Sequence, residues 1–127
     1  MHTREIIKLS RFGPNHYLPE SSVDLVISSL AWMFEEGNKY VSRIKKNASE
    51  GKSGKFPGNA SLVVLDEERA YIQPLYGDDA DEFCMEITRQ ALIKLINDWE
   101  ELLKKQPEEI ILIRDENGNF TVQEHIK

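Results

Sequence analysis

Cysteine is nearly absent from this 127-residue sequence: Cys84 stands alone and excludes an internal disulfide. Its neighbours Phe83 and Met85 suggest a packed thiol on a helix, at home in a reducing compartment. Histidine is scarce too. His2, His16 and His125 lie near the ends or in a turn, without the convergent spacing a metal site needs, so neither metal nor cofactor is expected. No Gly-x-Ser-x-Gly elbow occurs, and Cys84 has no base beside it, so nucleophilic catalysis is not indicated. No apolar run approaches the roughly 20 residues that span a bilayer, and the start MHTREIIKLS holds no signal-peptide core. A cytoplasmic protein without a membrane partner is the expectation, which also sets aside the Asn-Ala-Ser sequons at Asn47 and Asn59. Cations are outnumbered, 16 against 22 acids, and the net charge of -6 disfavours bulk attraction to nucleic acid.

What is present is the composition of one globular domain spanning 1–127, with 40% hydrophobic and 30% charged residues. Ile6, Ile7 and Leu9 predict a strand that ends in Gly13-Pro14-Asn15. Ser21-Ser22 offers an N-cap, and Val23, Val26, Ile27, Leu30, Met33, Phe34, Val41 and Ile44 then form a helical stripe. Gly37 falls on that stripe, and a single helix running through it is the preferred reading. Residues 47–59, rich in glycine and lysine, predict a flexible loop. Leu62 to Leu65 and Ala70 to Leu75 flank Asp66-Glu67-Glu68-Arg69 as a hairpin, with Pro74 marking an edge strand or a strand end.

A second long helix is predicted from Asp78 or Asp79, where acids suit its positive end, to about Lys105, with Pro107 as the stop. Cys84, Thr88, Ala91, Leu92, Leu95, Trp99, Leu102 and Leu103 line its core face. Ile110 to Ile113 and Phe120 to Val122 predict a last hairpin around Asn117-Gly118. The expected fold is α+β in the order β-α-ββ-α-ββ, a mainly antiparallel sheet with two long helices on one face.

Charge placement is the strongest functional signal. Asp66, Glu67, Glu68, Asp78, Asp79, Asp81, Glu82 and Glu86 gather with Arg69 the only cation among them, predicting a negative field on one side. Acids at a helix start equally serve the dipole, and no partner base marks them as catalytic. Lys39, Arg43, Lys45, Lys46, Lys52 and Lys55 gather elsewhere, a pattern that fits a helix C-terminus as well as phosphate. Gly51-Lys52-Ser53 fails as a phosphate loop because the required first glycine is Lys46. Leu25 and Trp32 oppose the first helix's core stripe, and Ile93 lies among Glu86, Arg89, Gln90, Asn97 and Glu100. These three are either covered by another element or exposed anchors for a partner.

Within Glu82 to Val122, FCMEITRQALIKLINDWEELLKKQPEEIILIRDENGNFTV reads as a helix ending Trp-x-x-Leu-Leu, a proline, an Ile-rich strand and a charged turn. That stretch, roughly a third of the chain, resembles the small acidic immunity proteins with which bacteria neutralise polymorphic or contact-dependent growth-inhibition toxins. The resemblance implies a non-enzymatic inhibitor bound one to one to a cognate cytosol-active toxin, often a nuclease. Asp66, Glu67, Glu68, Asp78, Asp79, Asp81 and Glu82 would face the toxin's phosphate-binding surface, with Leu25, Trp32 and Ile93 as apolar anchors. Two other classes remain open. One is a small-ligand or enzymatic domain with scattered residues such as Glu35, Glu36, Tyr40 and Tyr76. The other is a regulatory module that uses the lysines on nucleic acid.

Overall fold

The computed structural model describes residues 4–14, 16–19, 28–58, 61–74 and 85–125. Among them are eight strands and three helices. β1 (Glu5–Gly13) and β2 (His16–Pro19) form a hairpin, then come α1 (Ser28–Glu35) and α2 (Asn38–Ser49). β3 (Gly54–Pro57), β4 (Ser61–Leu65), β5 (Arg69–Pro74) and β6 (Met85–Thr88) follow. α3 (Arg89–Leu103), β7 (Glu109–Arg114) and β8 (Phe120–Glu124) complete the described chain.

The fold is α+β, but the strands divide into two antiparallel sheets of four, ordered β2-β1-β7-β8 and β3-β4-β5-β6. Neither α1 nor α3 is confined to one sheet. α1 packs on β1 and β2 and also on β4 and β5, while α3 packs on β8 and also on β5 and β6. Both helices therefore bridge the sheets, and one core cluster joins Ile7, Leu9 and Leu112 of the first sheet to Val63, Ile72 and Ile87 of the second.

Three sequence expectations require correction. The predicted single helix breaks at Gly37, whose φ of 104° and ψ of 163° lie in a region essentially confined to glycine. The Gly37 carbonyl accepts from Val41 N–H at 3.1 Å and opens α2. The predicted loop contains β3, because Phe56 finds Val63 across the ladder and is buried there. The second helix starts late: Met85 and Ile87 are buried while Glu86 and Thr88 face out, the period of a strand. Thr88, not Asp78 or Asp79, caps α3, its Oγ1 accepting from Ala91 N–H at 3.2 Å. Of the two roles the sequence leaves to Pro74, it takes the strand end: β5 stops there and, with β4 on one side and β6 on the other, is no edge strand. The Ser21-Ser22 cap and the start predicted at Asp78 or Asp79 lie outside the described residues.

The hairpins β4–β5 and β7–β8 and the strand β1 form where the sequence places them. Trp99 of α3 is fully buried, stacked on Phe34 of α1 (centroids 4.3 Å apart) and met edge-on by Tyr17 of β2 (5.6 Å). The Tyr17 hydroxyl donates to Pro107 O at 2.6 Å, which ties β2 to the chain leaving α3.

A Cβ at position 37 would meet nothing within 4 Å, so the obstacle to Gly37→Ala is backbone strain alone. The variant should lose about 1–3 kcal/mol of stability. Urea unfolding checks this as a lowered midpoint with an unchanged slope.

Candidate partner-binding surface

The acidic turn of the β4–β5 hairpin is presented outward and held from beneath. Asp66 N–H donates to Arg69 O at 2.9 Å, and the turn residues Glu67 and Glu68 project beyond that bond. Asp66, Glu67 and Glu68 are all exposed. Their backbone is fastened by Arg89, the first residue of α3, whose N–H donates to Glu68 O at 3.0 Å and whose guanidinium donates to Asp66 O. The same guanidinium donates to Asn47 O (3.2 Å), Ala48 O (3.0 Å) and Lys52 O (2.7 Å). Arg89 is only 6% exposed. Its charge is therefore met by carbonyl dipoles, two of them at the negative C-terminal end of α2. The sequence places Arg89 on a polar helix face, and the structure buries it.

Two further clusters could be mistaken for a catalytic site. Glu36 Oε2 accepts from Ser61 N–H (3.3 Å) and Ser61 Oγ (3.2 Å), and it lies where a Cβ on Gly58 would sit. Beside it the Tyr40 hydroxyl donates to Phe56 O. Burial, reinforced by the charge of Glu36, pushes the Tyr40 phenol up to about 12. A phenol held protonated and aimed at a backbone carbonyl locks β3 to α2 and is poorly placed for proton transfer at neutral pH. Glu35 instead pairs with His16 at 3.2 Å. Among the described residues no group of three or more His, Cys, Asp and Glu could hold a metal ion.

The basic residues separate into two sets. Lys45 pairs with Glu100, and Lys52 with Glu50 at 3.2 Å. Lys39, Arg43 and Lys46 recur at helical spacing on the exposed face of α2, Lys55 is exposed on β3, and none of the four has an ion pair among the described residues. The Arg43 guanidinium lies 5.7 Å from the centroid of the Phe56 ring, a cation–π contact.

Of the other partner-binding candidates, Leu25, Asp78, Asp79, Asp81 and Glu82 lie outside the described residues, as does the side chain of Trp32. Ile93 is partly buried against the core. Sequence reading missed Ile6, Phe12 and Leu18, the large apolar residues exposed on the first sheet. Their alternation along β1 and β2, opposite buried Ile7, Leu9 and Tyr17, is the signal that finds them. No described helix is long and apolar enough to cross a membrane.

Comparison with family models, curated proteins and solved structures finds no match to the chain.

Arg89→Ala strands carbonyls in three segments and should lower stability by on the order of 3 kcal/mol, and Arg89→Lys, without the planar fork, by somewhat less. Hydrogen exchange around Asp66–Glu68 and Asn47–Lys52, faster than that of the β1–β7 ladder, locates the loss.

Tyr40 holds its proton more tightly when folded, so its contribution is complete below pH 10, the ordinary phenol value. It fades as pH rises toward about 12. Tyr40→Phe should flatten this alkaline decline, measured as urea midpoints against pH.

Proposed function

We propose that this chain is an immunity-type inhibitor that binds a cognate cytosol-active toxin domain, plausibly a nuclease, by covering its electropositive surface. The observation that carries the reading is the acidic turn, with Asp66, Glu67 and Glu68 exposed on a backbone clamped by Arg89. A nuclease surface is positive because it binds phosphates, and fixed carboxylates complement that field without the entropy cost of ordering a loose loop. In this reading Asp78, Asp79, Asp81 and Glu82 add their charge to that of the turn, with Leu25, Trp32 and Ile93 as anchors. Inhibition by occlusion needs no bond-making, which agrees with the structural hydrogen bonds of Glu36 to Ser61 and of Tyr40 to Phe56.

Co-expression with the product of the adjacent reading frame is the direct test. The expected result is a co-purifying one-to-one complex and restored growth. Reversing Asp66, Glu67 and Glu68 to Lys should slow association at low salt by roughly tenfold or more and leave dissociation less affected. An unchanged association rate removes the electrostatic part of the reading, and failure to rescue growth removes the whole.

A second reading draws on Lys39, Arg43, Lys46 and Lys55, cations without an ion pair among the described residues, which suit the phosphates of a nucleic acid. Affinity for duplex DNA or RNA by the chain alone, falling steeply with salt and lost when Arg43 and Lys46 become Glu, would favour it over the toxin reading.

A further inference from the structure

Among the described residues the two sheets end in four edge strands, and these edges are not equivalent. β2 and β3 carry Pro19 and Pro57, residues that blunt an edge against further pairing. β6 and β8 carry none. Parts of both line one open groove of about 480 Å³, bounded by Arg69, Glu86 and Thr88 on the second sheet, Ala91 and Lys94 on α3, and Phe120 on the first.

The hydrogen-bond phase shows which backbone groups face outward. Along an antiparallel pair, residues alternate between exchanging bonds with the neighbour and pointing both groups away. Arg89 N–H bonds to Glu68 O one step beyond the Arg69–Thr88 pair, so Ile87 and Met85 bond to β5 while Glu86 and Thr88 turn their groups outward. The Thr88 carbonyl opens α3 as its cap, and among the described residues Glu86 N–H, Glu86 C=O and Thr88 N–H then remain for a further strand. On β8, bonds from Asp115 N–H to Asn119 O and from His125 N–H to Glu109 O bracket the ladder and turn Phe120 outward on its free edge.

We infer that this groove is a β-augmentation site, in which an extended segment of a partner protein adds to β6 as a fifth strand of the second sheet. Unpaired amides and carbonyls at strand spacing are complementary to another extended backbone and to little else. Charge and shape set the sequence it takes. Arg69 and Glu86 pair with each other on one wall (3.0 Å), which leaves Lys94 to set the charge, and the Lys94–Asp98 pair (2.9 Å) is an exposed helical pair that exchanges readily. Ala91 and Phe120 offer an apolar floor. The occupant is an extended segment with small apolar residues at alternate positions and an Asp or Glu placed to meet Lys94. The slot takes such a segment whether or not the chain neutralises a toxin.

Selection from a displayed library of linear peptides against the whole chain supplies the probe. Selected peptides should alternate apolar residues around an acid, and binding should slow exchange of the Glu86 and Thr88 amides by roughly tenfold or more. Glu86→Pro removes one outward N–H, no backbone bond to β5 and one half-exposed ion pair with Arg69 (3.0 Å), so it should leave the urea midpoint nearly unchanged and weaken the peptide by roughly tenfold or more. Lys94→Glu should shift selection from acidic to basic residues. Should Glu86→Pro unfold, the same comparison is made on wild-type protein with the peptide N-methylated at the residues that face β6, again expecting weakened binding. Equal binding by Glu86→Pro or by the methylated peptide, or a library yielding no binder, overturns the assignment. Concentration-dependent dimerisation in light scattering that Glu86→Pro abolishes would overturn it in favour of edge-to-edge pairing between two copies.

Discussion

One buried guanidinium holds together the end of the molecule where the candidate surface lies. Arg89 reaches the carbonyls of Asp66, Asn47, Ala48 and Lys52, and so joins the β4–β5 turn, the end of α2 and the link to β3. A cation this buried has to be met in place, because water cannot reach it and its desolvation cost is large. Carbonyl dipoles meet it only if all three segments keep their positions. The planar fork of arginine suits several oxygens at once, where a lysine ammonium would act as a point charge. The acidic turn is thus stiff because of a positive charge directly beneath it.

The aromatic cluster plays the corresponding part in the core. Trp99 takes contacts from α1 through Phe34 and from β2 through Tyr17, so one side chain of α3 sets the distance between helices and first sheet. Its Nε1 finds no acceptor among the described residues, which leaves shape and ring contacts to hold it. With α1 and α3 each touching both sheets, the helices spend their apolar faces internally. Surface chemistry is left to turns, edges and the outer face of α2. There the acids lie on the β4–β5 turn, and cations without an ion pair among the described residues lie along α2 and β3. The two functional readings, a cationic toxin and a nucleic acid, therefore draw on different residues, although Arg89 ties the turn to the end of α2.

Much of the local structure was legible before any coordinates. Asn117-Gly118 marks the β7–β8 turn, where Gly118 adopts a φ of 81° and Asp115 Oδ1 accepts from Asn117 and Asn119 N–H. Pro107 bounds the helix end, and Ile110 to Ile113 form the strand that follows. The missed elements share a cause. β2, β3 and β6 are four residues each, too short for a period to declare itself, and are stabilised mainly by their partners across the ladder. Met85-Glu86-Ile87-Thr88 sits beside a true helical stripe, so the longer period absorbed it. Of the candidate site, Asp66, Glu67 and Glu68 were found because charge is a property of residue type. Arg89 was not, since an arginine beside Gln90 in an amphipathic helix looks solvent-facing until its neighbours are known.

By itself the sequence determined the α+β class, the hairpin at Asp66–Arg69 and that around Gly118, the stop at Pro107 and the excess of acid. These follow from local propensity, turn chemistry and composition, which act over a few residues. Only the tertiary structure decided that the strands form two sheets, that helices bridge them, that Arg89 lies buried under the acidic turn, and that the free edges of β6 and β8 border one groove. Each of these depends on contacts between residues distant in the chain. Their free energy appears only when several segments meet, so no single segment's pattern encodes it.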